Sequence, residues 1–127
     1  MDDKEEYDLP KHYVPNMVLE EVKCENMTLY YEGLENIRRL GCLKHLSFRG
    51  VANFDDWFLD RVSGSGFPSL EVLDLRGTAV TEKGLHCLYR LPSLKTLLLD
   101  DSERDIMWKL TVALLEEWNS KMEVKTE

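Results

Sequence analysis

The sequence has little positive charge, few cysteines and no long hydrophobic run. Its 127 residues contain 16 Lys and Arg against 24 Asp and Glu, which gives a net charge of −8. This balance argues against nucleic acid, because phosphate contacts need a basic stripe, and against docking on an anionic lipid surface. No stretch approaches the ~18 consecutive apolar residues of a membrane span. We therefore expect protein partners, with no nucleic acid, no membrane span and no small-molecule substrate.

Cysteine is present three times, as Cys24, Cys42 and Cys87. An odd count at wide spacing fits neither a disulfide framework nor a zinc site. The pattern favours three small buried hydrophobic residues in a reducing compartment. The first six residues are neither a signal peptide nor an Arg-rich transit peptide. The sequence thus predicts either a cytosolic chain or one from which a targeting segment has been removed.

A repeat with the spacing LxxLxL runs through the chain. The steps between copies are 24, 27 and 24 residues, within the range of about 20–29 residues that leucine-rich repeats have. Four copies in one register make the pattern specific. They are Leu19-x-x-Val22-x-Cys24, Leu43-x-x-Leu46-x-Phe48, Leu70-x-x-Leu73-x-Leu75 and Leu94-x-x-Leu97-x-Leu99.

A helix is predicted after each copy of the repeat. Thr81 is the expected N-cap of one helix and Asp55 of another, because their side chains can accept a backbone hydrogen bond. The apolar residues of each helix recur at helical spacing. The predicted helices are Thr28–Leu40 (with Leu34, Ile37 and Leu40), the segment after Asp55 (with Leu59 and Val62), Thr81–Leu91 (with Leu85, Leu88 and Leu91) and about Asp105–Trp118 (with Ile106, Leu110, Ala113 and Leu114 on one side).

These elements predict the fold class α/β: a short right-handed leucine-rich-repeat solenoid of about four repeats. A parallel sheet forms the concave face and helices form the convex face. Stacking of neighbouring strands should bury Leu43, Leu70 and Leu94 in one column. The expected organisation is an acidic N-terminal extension or cap at 1–18, the repeat domain at 19–121, and a tail or partial capping strand at 122–127.

Alternate strand residues should line the concave face, because successive side chains of a strand point to opposite sides. Charges of opposite sign are neighbours in two of the predicted cross-strand rows, so a self-neutralised surface is the alternative to a partner-binding face. The candidate partner-binding residues are Glu21, Lys23, His45, Ser47, Arg49, Val72, Asp74, Arg76, Thr96, Leu98 and Asp100.

Aromatic residues suggest a second candidate surface on the helix side. Trp57 lies two residues before the inward-facing Leu59 and is therefore expected to point partly outward. With Tyr30, Tyr31 and Tyr89 it could form an interaction patch. Partial burial of these rings between adjacent helices is the alternative.

No catalytic or metal-binding arrangement emerges from the sequence. His12, His45 and His86 lie in different repeats, and no third group supports any of them as a base. The acidic run Asp100–Asp105 lacks the glycine and the distant glutamate of an EF-hand loop, so capping of the last helix is its expected use. We expect no enzyme activity, no cofactor and no metal.

Several segments resemble a known family. Leu9–Pro15 looks like the LPxxYxP start of the mitochondrial distal-membrane-arm-assembly-component 2 proteins, also called ATP synthase subunit s-like. Asp55–Arg61 matches their DDWxLxR motif. The segment Thr28–Ile37 resembles their TxEGLENL helix with looser spacing, and Ser69–Leu75 and Thr81–Leu85 follow the common pattern. The similarity covers about residues 9–101.

The resemblance implies a non-enzymatic mitochondrial protein that helps to assemble the distal membrane arm of respiratory complex I. It implies a location on the matrix side of the inner membrane, with complex I membrane-arm subunits or other assembly factors as partners. The alternatives are a protein like ATP synthase coupling factor B, or a cytosolic substrate-recognition fragment of a ubiquitin ligase. The sequence leaves open which face binds and whether the acidic loop takes an ion.

Overall fold

The first four strands of the molecule coincide with the LxxLxL segments. The computed structural model describes residues 19–65, 67–100 and 106–126. The five strands form one parallel sheet in chain order. Strands this short are unstable alone and persist because each one pairs with its neighbours. They are β1 (Glu21–Lys23), β2 (His45–Ser47), β3 (Val72–Asp74), β4 (Thr96–Leu99) and β5 (Glu123–Thr126).

A helix connects each strand to the next, as parallel pairing requires. The prediction of a mixed α/β fold with a parallel sheet is therefore confirmed. The helices are α1 (Tyr31–Ile37), α2 (Asp56–Ser63), α3 (Glu82–Leu85), which continues into a 3₁₀ helix (His86–Arg90), and α4 (Ile106–Trp118).

The predicted leucine column forms the centre of the core. Leu43, Leu70 and Leu94 are buried, and the strands pair in the register that the repeat predicts. The first copy departs from the pattern, since Leu19 is 54% exposed. It lies at the end of the stack, before the first strand of the sheet. The residues expected to cover it lie within 1–18, outside the described residues.

The turns after the strands depend on backbone that favours glycine. Gly50 and Gly77 have φ of 76° and 71°, and the two residues stack across neighbouring turns. A Cβ atom added to Gly77 would lie 3.1 Å from both the Cα and the backbone nitrogen of Gly50. Backbone atoms in a paired turn cannot move aside easily, so this position excludes a side chain for two reasons.

Replacement of Gly77 by alanine is expected to lower the free energy of unfolding by about 1–2 kcal/mol, the cost of left-handed backbone for an L-residue. Urea unfolding followed by circular dichroism measures this change. Gly41→Ala is the matched control, because a Cβ there meets nothing within 4 Å. Equal stability of the two variants would contradict the tight stacking of the turns.

The helix starts were predicted correctly in two places and wrongly in one. Asp55 caps α2 by accepting from the Phe58 backbone N–H, and Thr81 caps α3 by accepting from that of Lys83. The first helix begins at Tyr31 rather than Thr28. The reason is Leu29, whose backbone N–H and C=O both bond to the side-chain amide of Asn53.

The last helix packs with a different side than its spacing suggested. Trp108, Thr111 and Leu115 are the buried residues of α4. The apolar side noted in the sequence, with Ile106 and Leu110 on it, faces solvent. The two sides are both apolar, so periodicity alone cannot decide which one packs.

The C-terminal segment adds a strand to the sheet. Of the two alternatives for this segment, the structure shows the capping strand: β5 pairs parallel with β4, and Val124 is aligned with Leu97. Met122 is buried just before it. Val124 thus continues the row of inward-facing residues, and β5 is the last strand of the sheet.

Candidate interaction surfaces

The sheet face opposite the core is concave. Side chains from β1 to β4 border an open hollow of about 230 Å³ on this face. The predicted charge pairs lie just before the strands, where Lys44 is 3.6 Å from Glu20 and Lys95 is 3.7 Å from Glu71. Exposed pairs of this kind contribute about 0–1 kcal/mol each. The row formed by Glu20, Lys44, Glu71 and Lys95 is therefore neutralised pairwise.

Two of the predicted binding residues are occupied within the chain. Ser47 and Asp74 are only 7% and 6% exposed. The Ser47 hydroxyl donates to Glu25 at 2.6 Å. The Asp74 carboxylate accepts from the backbone N–H, Nε and Nη2 of Arg76, at 3.0, 3.0 and 2.7 Å. Buried polar groups need such partners, so these side chains hold the strand ends and offer little surface to another protein.

Other predicted residues of this face remain accessible. Arg49 is exposed, and its guanidinium has no partner in the part of the chain that the structure describes. His45 is exposed beside it on β2. Asp100 is half-buried and accepts from the backbone N–H of Gly77 at 3.0 and 3.1 Å. The remaining residues of the set are Glu21 and Lys23, which form an exposed pair at 3.5 Å, and the half-buried Val72, Thr96 and Leu98.

An aromatic patch occupies the helix side, where the sequence placed it in part. The rings of Tyr31 and Trp57 lie 6.0 Å apart and are 51% and 50% exposed. Tyr30 is exposed next to them in sequence, at the N-cap of α1. Tyr89 lies elsewhere, with its ring against Trp118 at 4.8 Å. The expected patch therefore contains Trp57 and Tyr31 in contact, while Tyr89 belongs to the surface beside α4.

An arginine holds the two rings of this patch in place. The Arg61 guanidinium carbon lies 5.4 Å from the centroid of each of the Tyr31 and Trp57 rings, within cation–π range. The same group donates to Glu35 at 3.1 Å. Hydrogen bonds from Arg38, and secondarily from Arg61, lower the pKa of Glu35. The Glu35 carboxylate is thus charged at neutral pH. Its ion pairs stabilise the folded state, and this contribution is lost only as the pH falls through the lowered pKa.

The DDWFLDR segment owes its distinctive composition to contacts between repeats. Asp55 caps its own helix, whereas Asp56 reaches the next repeat and accepts from the backbone N–H and the hydroxyl of Thr81. Asp60 accepts from Arg90 at 2.7 Å, also in the next repeat. Arg61 connects back to α1. The motif therefore joins three consecutive repeats, and Trp57 is its exposed large apolar residue.

A third surface, which the sequence reasoning missed, lies on α4. Five large apolar side chains of this helix are between 43% and 63% exposed. Their spacing was visible in the sequence but was assigned no interaction role. They are Ile106, Met107, Leu110, Leu114 and Trp118.

Within residues 19–65, 67–100 and 106–126, no three side chains of histidine, cysteine, aspartate or glutamate lie close enough together to bind a metal ion. Most of the acidic run, residues 101–105, lies outside the described residues, so its capping or ion-binding role stays a prediction.

None of the described helices combines the length and hydropathy that a bilayer crossing requires.

The cysteines differ in exposure, contrary to the expectation that all three are buried. Cys42 is exposed, because it lies in the turn before β2, while Cys24 and Cys87 are half-buried. Burial raises the pKa of the Cys24 thiol. Burial, followed by the Asp60 carboxylate, raises the pKa of Cys87. All three are free thiols.

A maleimide at pH 7.5 is expected to modify Cys42 first, since thiolate character and access control the rate. Intact mass spectrometry over time, with peptide mapping, follows the order of modification. Removing the exposed thiol in Cys42→Ser should abolish the fast phase and leave the slow one. A fast phase that persists in this variant would show that Cys24 or Cys87 is more accessible than the structure indicates.

Comparison with solved structures identifies the type of fold. The C-terminal domain of tropomodulin from Caenorhabditis elegans superposes with a TM-score of 0.67 at 18% identity. The match covers 86% of this chain and 74% of that domain. At this level of identity the likeness establishes a shared fold and nothing about function.

Comparison with curated sequences gives a much closer relation. No protein-family model matches the chain. A Drosophila melanogaster protein named distal membrane arm assembly component 2 is 54% identical over 112 residues, which is 88% of this chain. The chain spans 39% of that relative's length. The resemblance drawn from the DDWFLDR segment and the repeats is thereby confirmed: along 88% of its length the chain is a homologue of distal membrane arm assembly component 2.

Proposed function

We propose that this chain is a leucine-rich-repeat module of about four repeats that acts, without catalysis, in assembling the distal membrane arm of mitochondrial complex I. The observation that carries the proposal is the 54% identity to a protein named for that role. Its site of action would be the matrix side of the inner membrane. There it would hold complex I membrane-arm subunits or other assembly factors.

The shape and charge of the molecule support a scaffold that binds protein. Its concave face is broad and open, whereas small-molecule sites enclose most of their ligand. The net charge of −8 disfavours attachment to anionic lipid and leaves contact with proteins as the route to the membrane arm. A sheet held together by stacked strands is rigid, so it can bind a partner without first becoming ordered.

Loss of the gene that encodes this chain tests the proposal. Native gels of mitochondria should then show less complete complex I and an accumulated form that lacks the distal membrane arm. Re-expression of the full gene should restore the complete enzyme. Complex I that assembles to the normal amount and at the normal rate without the protein would overturn the proposal.

Arg49→Glu is expected to weaken partner binding about tenfold, since an exposed arginine in the middle of an interface is a frequent hot spot. Its guanidinium has no intramolecular partner among the described residues, so the fold should keep its stability. Recovery of assembly intermediates with the tagged protein measures the effect. Arg39→Glu is the matched control, because Arg39 is exposed just after α1. Unchanged binding by Arg49→Glu would move the site to the helix side, around Trp57.

A further inference from the structure

Helix α4 is apolar on two sides and packs with one of them. At about 100° per residue, its buried residues centre on Leu115, and its exposed apolar residues form a stripe along an adjacent side. We call this set the α4 stripe; it consists of Ile106, Met107, Leu110, Leu114 and Trp118. A helix that is apolar nearly all round is normally covered nearly all round. Within the residues that the structure describes, nothing covers the α4 stripe.

The charges of α4 add information about that cover. Glu116 and Glu117 are exposed in its last turn, and this turn has no basic residue. Carboxylates there face the negative end of the helix dipole, which is unfavourable. Neither glutamate has an ion-pair partner in the described part of the chain. At about 100° per residue, Glu117 lies on the same side of α4 as Ile106 and Leu110, whereas Glu116 lies on the far side. A cation from a molecule that covers the stripe would therefore relieve the unfavourable interaction of Glu117.

The α4 stripe is long enough for a helix and joins a second element. Thirteen residues extend about 20 Å at 1.5 Å per residue. At its C-terminal end, Trp118 contacts Tyr89 edge-on at 4.8 Å, so the 3₁₀ helix forms one edge of the surface. An apolar face bordered by a neighbouring element matches the way in which helical ligands lie in grooves.

Two other covers fit the charges less well. A helix that lies on a lipid surface is rich in Lys and Arg on its polar face, whereas α4 has Lys109 alone against two glutamates. A second copy of the chain would bring together two molecules of net charge −8, with Glu117 of each helix beside the contact. Repulsion disfavours both arrangements.

We propose that the α4 stripe docks an amphipathic helix of a protein partner, with apolar residues at i, i+3/i+4 and i+7 and with Lys or Arg opposite Glu117. This inference deepens the proposed scaffold function and rests on it, because it specifies the chemistry of one partner. It places that partner on α4, apart from the concave face.

Photo-crosslinking in cells tests the docking. Benzoylphenylalanine replaces Leu110 in the full-length protein and, as a control, Met27, which is also an exposed apolar residue but precedes α1. The crosslinked peptide is sequenced by mass spectrometry. We expect a product specific to position 110 whose partner peptide has the stated apolar spacing and a basic residue placed to meet Glu117. Crosslinks to a second copy, to the chain's own residues, to lipid, or no more product than at Met27 would each overturn the proposal.

Charge reversal supplies the second arm of the test. Glu117→Lys should reduce the crosslink at position 110 about tenfold. The same change introduces a lysine at the negative end of the dipole, so the variant should fold at least as well as the parent. Glu32→Lys, an exposed glutamate on α1, is the control and should leave the yield unchanged. An unchanged crosslink yield in Glu117→Lys would contradict the proposed contact with a basic residue of the partner and would overturn the proposal.

The two proposals fail in different ways. If wild-type protein restores complex I and Glu117→Lys restores it equally, with the same crosslink yield, the docking proposal is wrong and the assembly function stands. If loss of the gene leaves complex I intact, the assembly function is wrong, while the sequence of the crosslinked peptide still decides what α4 binds.

Discussion

Replacement of Phe54 by alanine is expected to lower the free energy of unfolding by about 3–5 kcal/mol. Phe54 is fully buried between two other aromatic rings. Its ring centroid lies 4.1 Å from that of Phe48 and 5.7 Å from that of Phe58. Truncation removes the transfer free energy of the ring, leaves a cavity and ends both stacking contacts.

Equilibrium urea unfolding, followed by far-UV circular dichroism, measures this loss. Trp57→Ala is the control, because it removes a ring of similar size from a half-exposed site and should change stability by about 1 kcal/mol or less. A domain of this size has a free energy of unfolding of about 5–15 kcal/mol, so Phe54→Ala is expected to remove a large part of it. Similar losses in the two variants would contradict the placement of Phe54 at the centre of the core.

Asp74→Ala is expected to destabilise the protein by about 2–4 kcal/mol, although Asp74 lies on the sheet face opposite the core. Its carboxylate accepts three hydrogen bonds from Arg76 and is nearly buried. Removal of the carboxylate deletes these three hydrogen bonds and one counter-charge of Arg76 in a partly desolvated place. The backbone N–H of Arg76 also loses its acceptor at the end of β3.

Glu71→Ala is the matched control for this second prediction. Glu71 is a carboxylate just before β3, three residues from Asp74. It pairs with Lys95 at 3.7 Å near the surface, and its loss should cost about 0.5 kcal/mol or less. Thermal unfolding of both variants at neutral pH provides the comparison. Equal melting temperatures would show that the Asp74–Arg76 pair is no stronger than a surface pair.

The Asp74 result also guides the choice of residues for binding experiments. Both Asp74 and Ser47 were predicted from the repeat to contact a partner. The structure places them on the concave face but ties their side chains to Arg76 and Glu25. A variant at either position would alter the sheet itself, and lost binding would be uninformative. Arg49 has no such tie among the described residues, and it is the residue through which the concave face can be tested cleanly.

The DDWFLDR segment shows how far a motif can be interpreted without coordinates. The N-cap at Asp55, the burial of Leu59 and the outward position of Trp57 follow from helix periodicity and capping chemistry, and all three are found. The hydrogen bonds of Asp56 with Thr81 and of Arg61 with Glu35 do not follow from periodicity or capping. These partners are 25 and 26 residues distant in sequence, and their distance in space depends on how the repeats stack.

The repeat spacing alone was enough to predict the first four strands, their parallel order and their register. The LxxLxL spacing recurs at steps close to one repeat, and alternation along a strand leaves one choice of which residues point inward. Tertiary structure decided which side of α4 packs, where the first helix begins and which polar groups of the concave face are used internally. In each of these cases two local arrangements satisfy the same pattern, and contacts between residues distant in the chain select one of them.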